Sequence, residues 1–132
     1  MIQPMMQQNS ESQTLFNAVG GAATFERIVE RFYAGVATDQ VLRPLYPPDL
    51  TESKRHLALF LMQYFGGPGT YSEERGHPRL RMRHLPFSIG QAERDAWVSH
   101  MKVAVEAEKL PDEIEAALLD YFEHAATFMM NR

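Results

Sequence analysis

The chain of 132 residues contains no cysteine, so it has no disulfide bonds and no thiolate chemistry. The same absence excludes a cofactor attached covalently through a Cys-x-x-Cys-His motif. No apolar run approaches the roughly 20 residues that a transmembrane helix needs. No segment alternates apolar and polar residues over the length of a strand, so the pattern predicts an all-α protein without a membrane span.

Positive charge is also scarce when the whole chain is counted. Thirteen Lys and Arg side chains stand against 17 Asp and Glu, and the net charge is -4. This balance gives no general case for binding nucleic acid or an anionic membrane. Four arginines nevertheless lie close together, at Arg75, Arg79, Arg81 and Arg83, and predict one local basic patch.

The chain begins with a polar, glutamine-rich segment at residues 1–13. It has no basic region followed by an apolar block, so we interpret it as a disordered tail and not as a signal peptide. Residues 14–132 have the length and the apolar content of one domain, with 45% hydrophobic residues in the whole chain. A cytoplasmic location is the default expectation.

Apolar residues recur at spacings of three and four, which predicts four long helices with one buried face each. We expect them at about 22–37, 51–65, 89–108 and 112–130, with a short helix at 14–18. Thr51 and Ser88 are the predicted N-caps, and Gln91 would complete a capping box with Ser88. The Gly/Pro-rich residues 66–78 are expected to form a long loop, and loops of that length are commonly functional.

That loop leads into a short basic segment that contains His84. Pro86 disfavours helical geometry in the residue before it, so a helix carrying His84 should end near Leu85. Arginines stand one and three residues before the histidine. This arrangement suits a flat apolar ring with a metal at its centre and carboxylates at its edge. A surface histidine at a basic helix terminus is the alternative reading of these residues.

Several motifs resemble those of the group II truncated haemoglobins of bacteria, over about residues 16–132. They are Gly20-Gly21 before Thr24-Phe25, the pair Phe32-Tyr33, Tyr46-Pro47, Gly66-Gly67-Pro68, the run from Tyr71 to His84, and the run from Glu93 to Trp97. The resemblance implies a truncated globin, which is a two-over-two helical sandwich with a short proximal helix. It also implies non-covalently bound haem b.

The resemblance further implies that His84 is the proximal ligand of the haem iron. Neutral imidazole binds iron and leaves the sixth position open to a diatomic ligand. Tyr33, Tyr46 and Trp97 would line the distal side, where two hydroxyls and an indole N–H can stabilise a polarised ligand. Ordinary packing in the core is the alternative role for these three aromatics.

The other expected contacts divide between the distal wall and the haem edge. Arg83 is the preferred partner of a propionate, because a guanidinium can form two bonds with one carboxylate. Arg75 and Arg79 are expected to pair with Glu73 or Glu74, or to be solvated. The distal residues are Ser53 at an open entrance, Leu57 and Phe60; the expected haem contacts are Arg83, Arg81, Tyr71, His56, His77, Phe87 and Met101.

These expectations favour haem redox chemistry over rapid oxygen delivery. The candidate reactions are detoxification of nitric oxide or peroxide, as a nitric oxide dioxygenase or a peroxidase-like enzyme with an external electron donor. Oxygen storage or transport and gas sensing are the alternatives. O2 and nitric oxide are the expected ligands, and either a monomer or a homodimer is compatible with the sequence.

Overall fold

The computed structural model describes residues 14–132, and all regular secondary structure in this part of the chain is helical. The all-α prediction is therefore confirmed, while the predicted tail at 1–13 lies outside the described residues. No helix within 14–132 is long and apolar enough to cross a membrane. The helices are α1 Leu15–Ala18, α2 Ala22–Ala37, α3 Thr51–Tyr64, α4 Thr70–Arg75, α5 Leu80–His84, α6 Gln91–Glu106 and α7 Asp112–Phe128, with a 3-10 turn at Arg43–Leu45.

Helix α2 lies at the centre of the packing. It contacts both α3 and α6, and α6 in turn packs on α7. Its buried face follows the helical period that the sequence predicted, and Phe25, Ile28 and Phe32 are fully buried. Each such side chain contributes roughly 1.5–3 kcal/mol by leaving water. The chain turns sharply into α2 at Gly21, whose φ of 80° is accessible to glycine at little cost.

Both predicted N-caps of the long helices were wrong. At α3 the N-cap position is Leu50, and Asp49 Oδ1, one residue earlier, accepts from the Thr51 backbone N–H at 2.9 Å. At α6 the chain enters the helix at Gly90, and Glu93 Oε1 accepts from the Gly90 N–H at 2.8 Å. Thr51 is already the first helical residue of α3, and Ser88 lies two residues before Gly90, so neither predicted hydroxyl stands at the cap position.

The predicted loop at 66–78 contains helix α4, so the prediction of a continuous loop was wrong. The Gln63 side chain, from the end of α3, clamps this helix. Gln63 Oε1 accepts from the Ser72 backbone N–H at 2.9 Å, and its Nε2 donates to the Ser72 hydroxyl at 2.8 Å. A contact with a residue outside the segment thus stabilises a helix that has no apolar period of its own.

The segment that follows α5 is held by Asn131, near the C-terminal end. Its Oδ1 accepts from the Ile89 backbone N–H at 2.9 Å, and its Nδ2 donates to the carbonyls of Phe87 at 2.7 Å and His84 at 3.3 Å. One amide side chain therefore joins the end of α7 to the end of α5 and the start of α6.

Replacement of Asn131 by alanine should destabilise the fold by about 1–3 kcal/mol, because it leaves half-buried backbone groups without partners. Chemical denaturation of the full chain measures this loss. Gln91→Ala is the control, since Gln91 is exposed and bonds only Asp95 on the helix surface. Equal stability of the Asn131 variant and the wild type would contradict the assignment.

Candidate functional site

A cavity of about 380 Å³ lies between the ends of the long helices and the short helix α5. This volume is in the range of small-molecule binding sites. Most of the wall is apolar, with a small number of polar groups. Apolar lining residues include Leu42, Leu45, Leu57, Phe60, Phe87, Phe122 and Met129.

His84, the last residue of α5, lines this cavity. Its Nδ1 lies 2.6 Å from the carbonyl oxygen of Leu80, one turn earlier in the same helix. A carbonyl can only accept, so Nδ1 carries the proton and donates it. In the neutral imidazole the other nitrogen, Nε2, is then the one without a proton and is suited to bind a metal.

Tyr33, Tyr46 and Trp97 line the same cavity and come from three different segments. The rings of Tyr33 and Tyr46 meet edge to face with centroids 5.5 Å apart. Trp97 packs edge to face on Phe32 at 5.4 Å and on Phe122 at 5.8 Å. The structure thus brings together the three polar-tipped aromatics that the sequence singled out.

The pKa values of the two tyrosines are raised mainly by their burial. Burial raises the pKa of Tyr46 to about 12, and hydrogen bonding with Trp97 and Tyr33 opposes this rise. Burial is also the main cause that raises the pKa of Tyr33, and its contact with Tyr46 adds to it. All three groups stay neutral donors near pH 7.

The distal residues expected from α3 also line the cavity. Leu57 and Phe60 contribute apolar wall, and Ser53 lies one turn before Leu57. The Ser53 carbonyl lies 3.5 Å from the Tyr33 hydroxyl, at the outer limit of a hydrogen bond. The serine backbone thus contacts the cluster of donors.

Arg83 and Tyr71 lie at the cavity as expected. The Arg83 guanidinium is held by two backbone carbonyls, with Nε donating to Pro78 at 2.8 Å and Nη2 donating to Arg75 at 3.1 Å. Tyr71 is buried and packs edge to face on Phe60 with centroids 5.5 Å apart. These contacts fix both side chains before any ligand is bound.

Arg75 is the functional candidate that the sequence reasoning misplaced. It was expected to pair with Glu73 or Glu74, but Glu74 pairs with Arg55 instead. Arg75 turns inward to line the cavity, with its guanidinium 5.8 Å from the centroid of the Tyr71 ring. Its Nε is a buried donor with no partner among the described residues. A ligand carboxylate at this edge of the cavity would satisfy that donor.

His56 lies beside Arg75 on the same edge. Arg75 Nη1 is 3.2 Å from His56 Nδ1 and 3.1 Å from His56 Nε2. Burial and the neighbouring Arg75 charge lower the pKa of His56, so its ring is neutral near pH 7. A neutral imidazole can accept from Arg75 and so orient the guanidinium.

Three expected contacts lie away from the cavity. Arg81 Nη1 donates to the carbonyls of Phe128 at 2.7 Å and Met130 at 3.1 Å, which turns it to the outside. His77 is exposed, and its Nδ1 accepts from the Arg79 backbone N–H at 3.1 Å. Met101 is fully buried in the core behind the wall, because its position on α6 faces the other helices.

The sequence reasoning also missed most of the wall that α7 supplies. All of these wall residues except Ala126 belong to the apolar stripe predicted for this helix, but the spacing of a stripe does not show which members face a cavity and which face another helix. Polar Glu93 and Arg94, from the first turn of α6, were missed as well. The lining residues from α7 and its end are Tyr121, Phe122, Ala125, Ala126 and Met129.

Comparison with known proteins agrees with this geometry. Residues 14–131 match the family described as bacterial-like globin. The chain is 45% identical over 112 residues to the group 2 truncated hemoglobin YjbI of Bacillus subtilis (strain 168), covering 85% of each chain. It therefore belongs to the bacterial-like globins, as a group II truncated haemoglobin with the two-over-two fold.

Solved structures support the same assignment. A hemoglobin from the thermophilic phototrophic bacterium Chloroflexus aurantiacus is 57% identical, with a TM-score of 0.88 over 90% of this chain and 98% of that one. A truncated oxygen-avid haemoglobin from Bacillus subtilis is 43% identical, with a TM-score of 0.86 over 90% of this chain and 100% of that one. Membership of this family implies a haem cofactor and the binding of diatomic ligands.

The residues around the cavity fit a haem. The wall is largely apolar, as a porphyrin requires, and one imidazole presents an unprotonated nitrogen. At the edge, Arg83 is held in place and Arg75 has an unpaired buried Nε, which suits the carboxylates of a porphyrin. The apolar wall, the imidazole and the two arginines therefore match the ring, the metal and the carboxylates of a haem.

His84→Ala should abolish stable haem binding, because it removes the nitrogen that would ligate the iron. Titration of the purified protein with haem, followed by its Soret band, measures this loss. His56→Ala is the matched control and should retain the band, since His56 lies at the edge. Stable binding by the His84 variant, with the band of the wild type, would contradict the assignment.

Arg75→Gln should accelerate haem loss by about tenfold or more, because a charge-assisted bond to a carboxylate contributes roughly 1.5–3 kcal/mol. The rate of haem transfer to an excess of an acceptor apoglobin measures it. Arg79→Gln removes an exposed arginine four residues away and should leave the rate unchanged. Equal rates of haem loss for both variants would show that Arg75 does not bind a haem carboxylate.

Proposed function

We propose that this protein holds haem b through His84 and retains a diatomic ligand, above all O2, beside Tyr33, Tyr46 and Trp97. The observation that supports this proposal is the shared cavity. One apolar space is lined both by a histidine with a free, unprotonated Nε2 and by a cluster of three neutral donors. The haem supplies an iron with one open coordination position.

The proposed role of His84 is to bind the haem iron from one face of the haem, with its imidazole ring held in a fixed orientation. The bond from Nδ1 to the Leu80 carbonyl prevents the ring from rotating and raises the basicity of Nε2. Asn131 holds the backbone at the His84 carbonyl, so the end of α5 is anchored to the end of α7. The ligating nitrogen is therefore positioned by the chain before haem enters.

The proposed role of the three aromatics is to donate hydrogen bonds to a polarised ligand. The rings of Tyr33 and Tyr46 meet edge to face, and both line the cavity together with Trp97, so the three donors border one space. A hydrogen bond to a charged group contributes roughly 1.5–3 kcal/mol, so two of them slow ligand release by about a hundredfold or more. Burial strengthens the effect, because water does not compete for the donors.

Slow release suits chemistry on the retained ligand better than delivery. We infer that O2 held in this cavity reacts with nitric oxide to give nitrate, or that the site reduces peroxide. Either reaction needs an external electron donor for repeated turnover. Similarity to a truncated haemoglobin described as oxygen-avid supports the expectation of slow release.

The test of this function is the rate of O2 release. The unmodified protein should release O2 slowly, and Trp97→Phe should accelerate release by about ten- to a hundredfold through loss of one donor. Stopped-flow mixing of the oxygenated protein with carbon monoxide measures both rates. Tyr121→Phe, which removes a hydroxyl from the α7 wall, is the control and should not change the rate.

Two results would contradict the proposal. Release by the unmodified protein that is fast enough for delivery would favour oxygen storage or transport over redox chemistry. An unchanged rate in the Trp97 variant would remove the indole from the bonds that retain the ligand.

A further inference from the structure

The single histidine of α6, His100, is bonded to a carboxylate far away in the sequence. His100 Nε2 lies 2.6 Å from Asp39 Oδ2, across a separation of 61 residues. Both side chains are mostly covered, with 28% and 17% of their surfaces exposed. The pair His124–Asp120 differs on each point, because it lies within one helix at 3.5 Å and is 78% and 73% exposed.

The other oxygen of Asp39 organises the segment that leads to the site. Asp39 Oδ1 accepts from the backbone N–H of Val41 at 2.7 Å and of Leu42 at 3.1 Å. The Asp39 carbonyl accepts from the Arg43 N–H at 2.9 Å. One residue therefore caps the turn that follows α2 and also binds α6.

The turn capped by Asp39 continues directly to Tyr46. The Arg43 guanidinium donates to the carbonyls of Tyr46 at 3.2 Å, Pro47 at 3.0 Å and Pro48 at 2.9 Å. The two prolines restrict the backbone further. Because residues 39–48 form a stiff corner, a displacement of Asp39 would also displace the Tyr46 ring.

His100 is held from a second direction by the backbone of α2. A Cβ placed on Gly35 would lie 2.3 Å from His100 Nδ1, so the ring occupies the space that only glycine leaves free. Trp97 stands three residues before His100, on the same face of α6. The imidazole therefore fixes α6 against α2 one turn from the indole.

We propose that Asp39 and His100 are positioning residues that set the distance between Tyr46 and Trp97 on the distal wall. Asp39 holds the corner that carries Tyr46, and His100 holds the helix that carries Trp97. Their bond joins the two supports directly. The inference deepens the proposed function and rests on it, since the hydrogen bonds that retain the ligand depend on this distance.

Two substitutions break the bond from opposite sides. His100→Leu keeps apolar bulk on Gly35 but cannot donate to Asp39. Asp39→Ser keeps a side chain that caps Val41 and Leu42 but is too short to reach His100. His100→Gln is the conservative variant, because its amide can still donate to Asp39. His124→Leu is the matched control at the exposed pair.

The measurements use the haem-loaded full chain. Trp97 is the only tryptophan, so its indole N–H gives a single cross-peak in a ¹⁵N-correlated spectrum of the carbon monoxide form. His100→Leu and Asp39→Ser should both shift this peak and accelerate O2 release by about tenfold. The combined variant should show no further acceleration, because both changes break one interaction. His100→Gln should restore the peak and most of the rate, and His124→Leu should change neither.

An unchanged indole peak and release rate in His100→Leu or in Asp39→Ser would overturn the proposal. An equal defect in His100→Leu and His100→Gln would also overturn it, since ring packing and not the bond to Asp39 would then be responsible. Failure of the unmodified chain to show a Soret band would overturn the proposed function together with this inference. A normal band with slow release, and no effect of either substitution, would overturn the inference alone.

Discussion

The packing of α2 against both α3 and α6 is the constraint on which the rest of the structure depends. A helix that buries one face against two partners must keep that face continuous, and α2 buries seven residues along it. An ionic contact supports the same junction from outside, where Glu108 accepts from Arg27 at 2.8 Å and also pairs with Arg31. Because Tyr33 lies on the buried face of α2, the packing that stabilises the fold also places the Tyr33 hydroxyl at the cavity.

The cavity combines an apolar wall with polar groups that the chain itself satisfies. Tyr33 packs edge to face on Tyr46 at the wall that Trp97 also lines, and His84 is oriented by the Leu80 carbonyl. Unpaired polar groups are costly in such surroundings, so each of these contacts stabilises the site before a ligand is present. The Arg75 Nε is the exception among the described residues, and it belongs to a side chain that lines the cavity.

Much of the fold could be predicted from the sequence, because helical periodicity is a local property. The bounds predicted for α2 agree with the structure, and those of the other long helices differ by at most two residues at either end. The short helix α4 was missed because Gln63, a residue of another helix, stabilises its first turns. Its six residues carry no apolar period that could have indicated it. The hydrogen bonds that Asp49 and Glu93 accept at the starts of α3 and α6 were missed, because spacing alone does not show which side chain reaches an orphan N–H.

The sequence by itself determined the helical class, the end of the His84 helix before Pro86, and the family to which the chain belongs. It did so because propensity, proline geometry and motif spacing act within a few residues. The tertiary structure alone decided that Arg75 faces the cavity and Arg81 does not, although both lie in one basic patch. It also decided the bond between Asp39 and His100. The physical reason is that the direction of a long side chain depends on acceptors brought close by folding, and sequence separation carries no information about them.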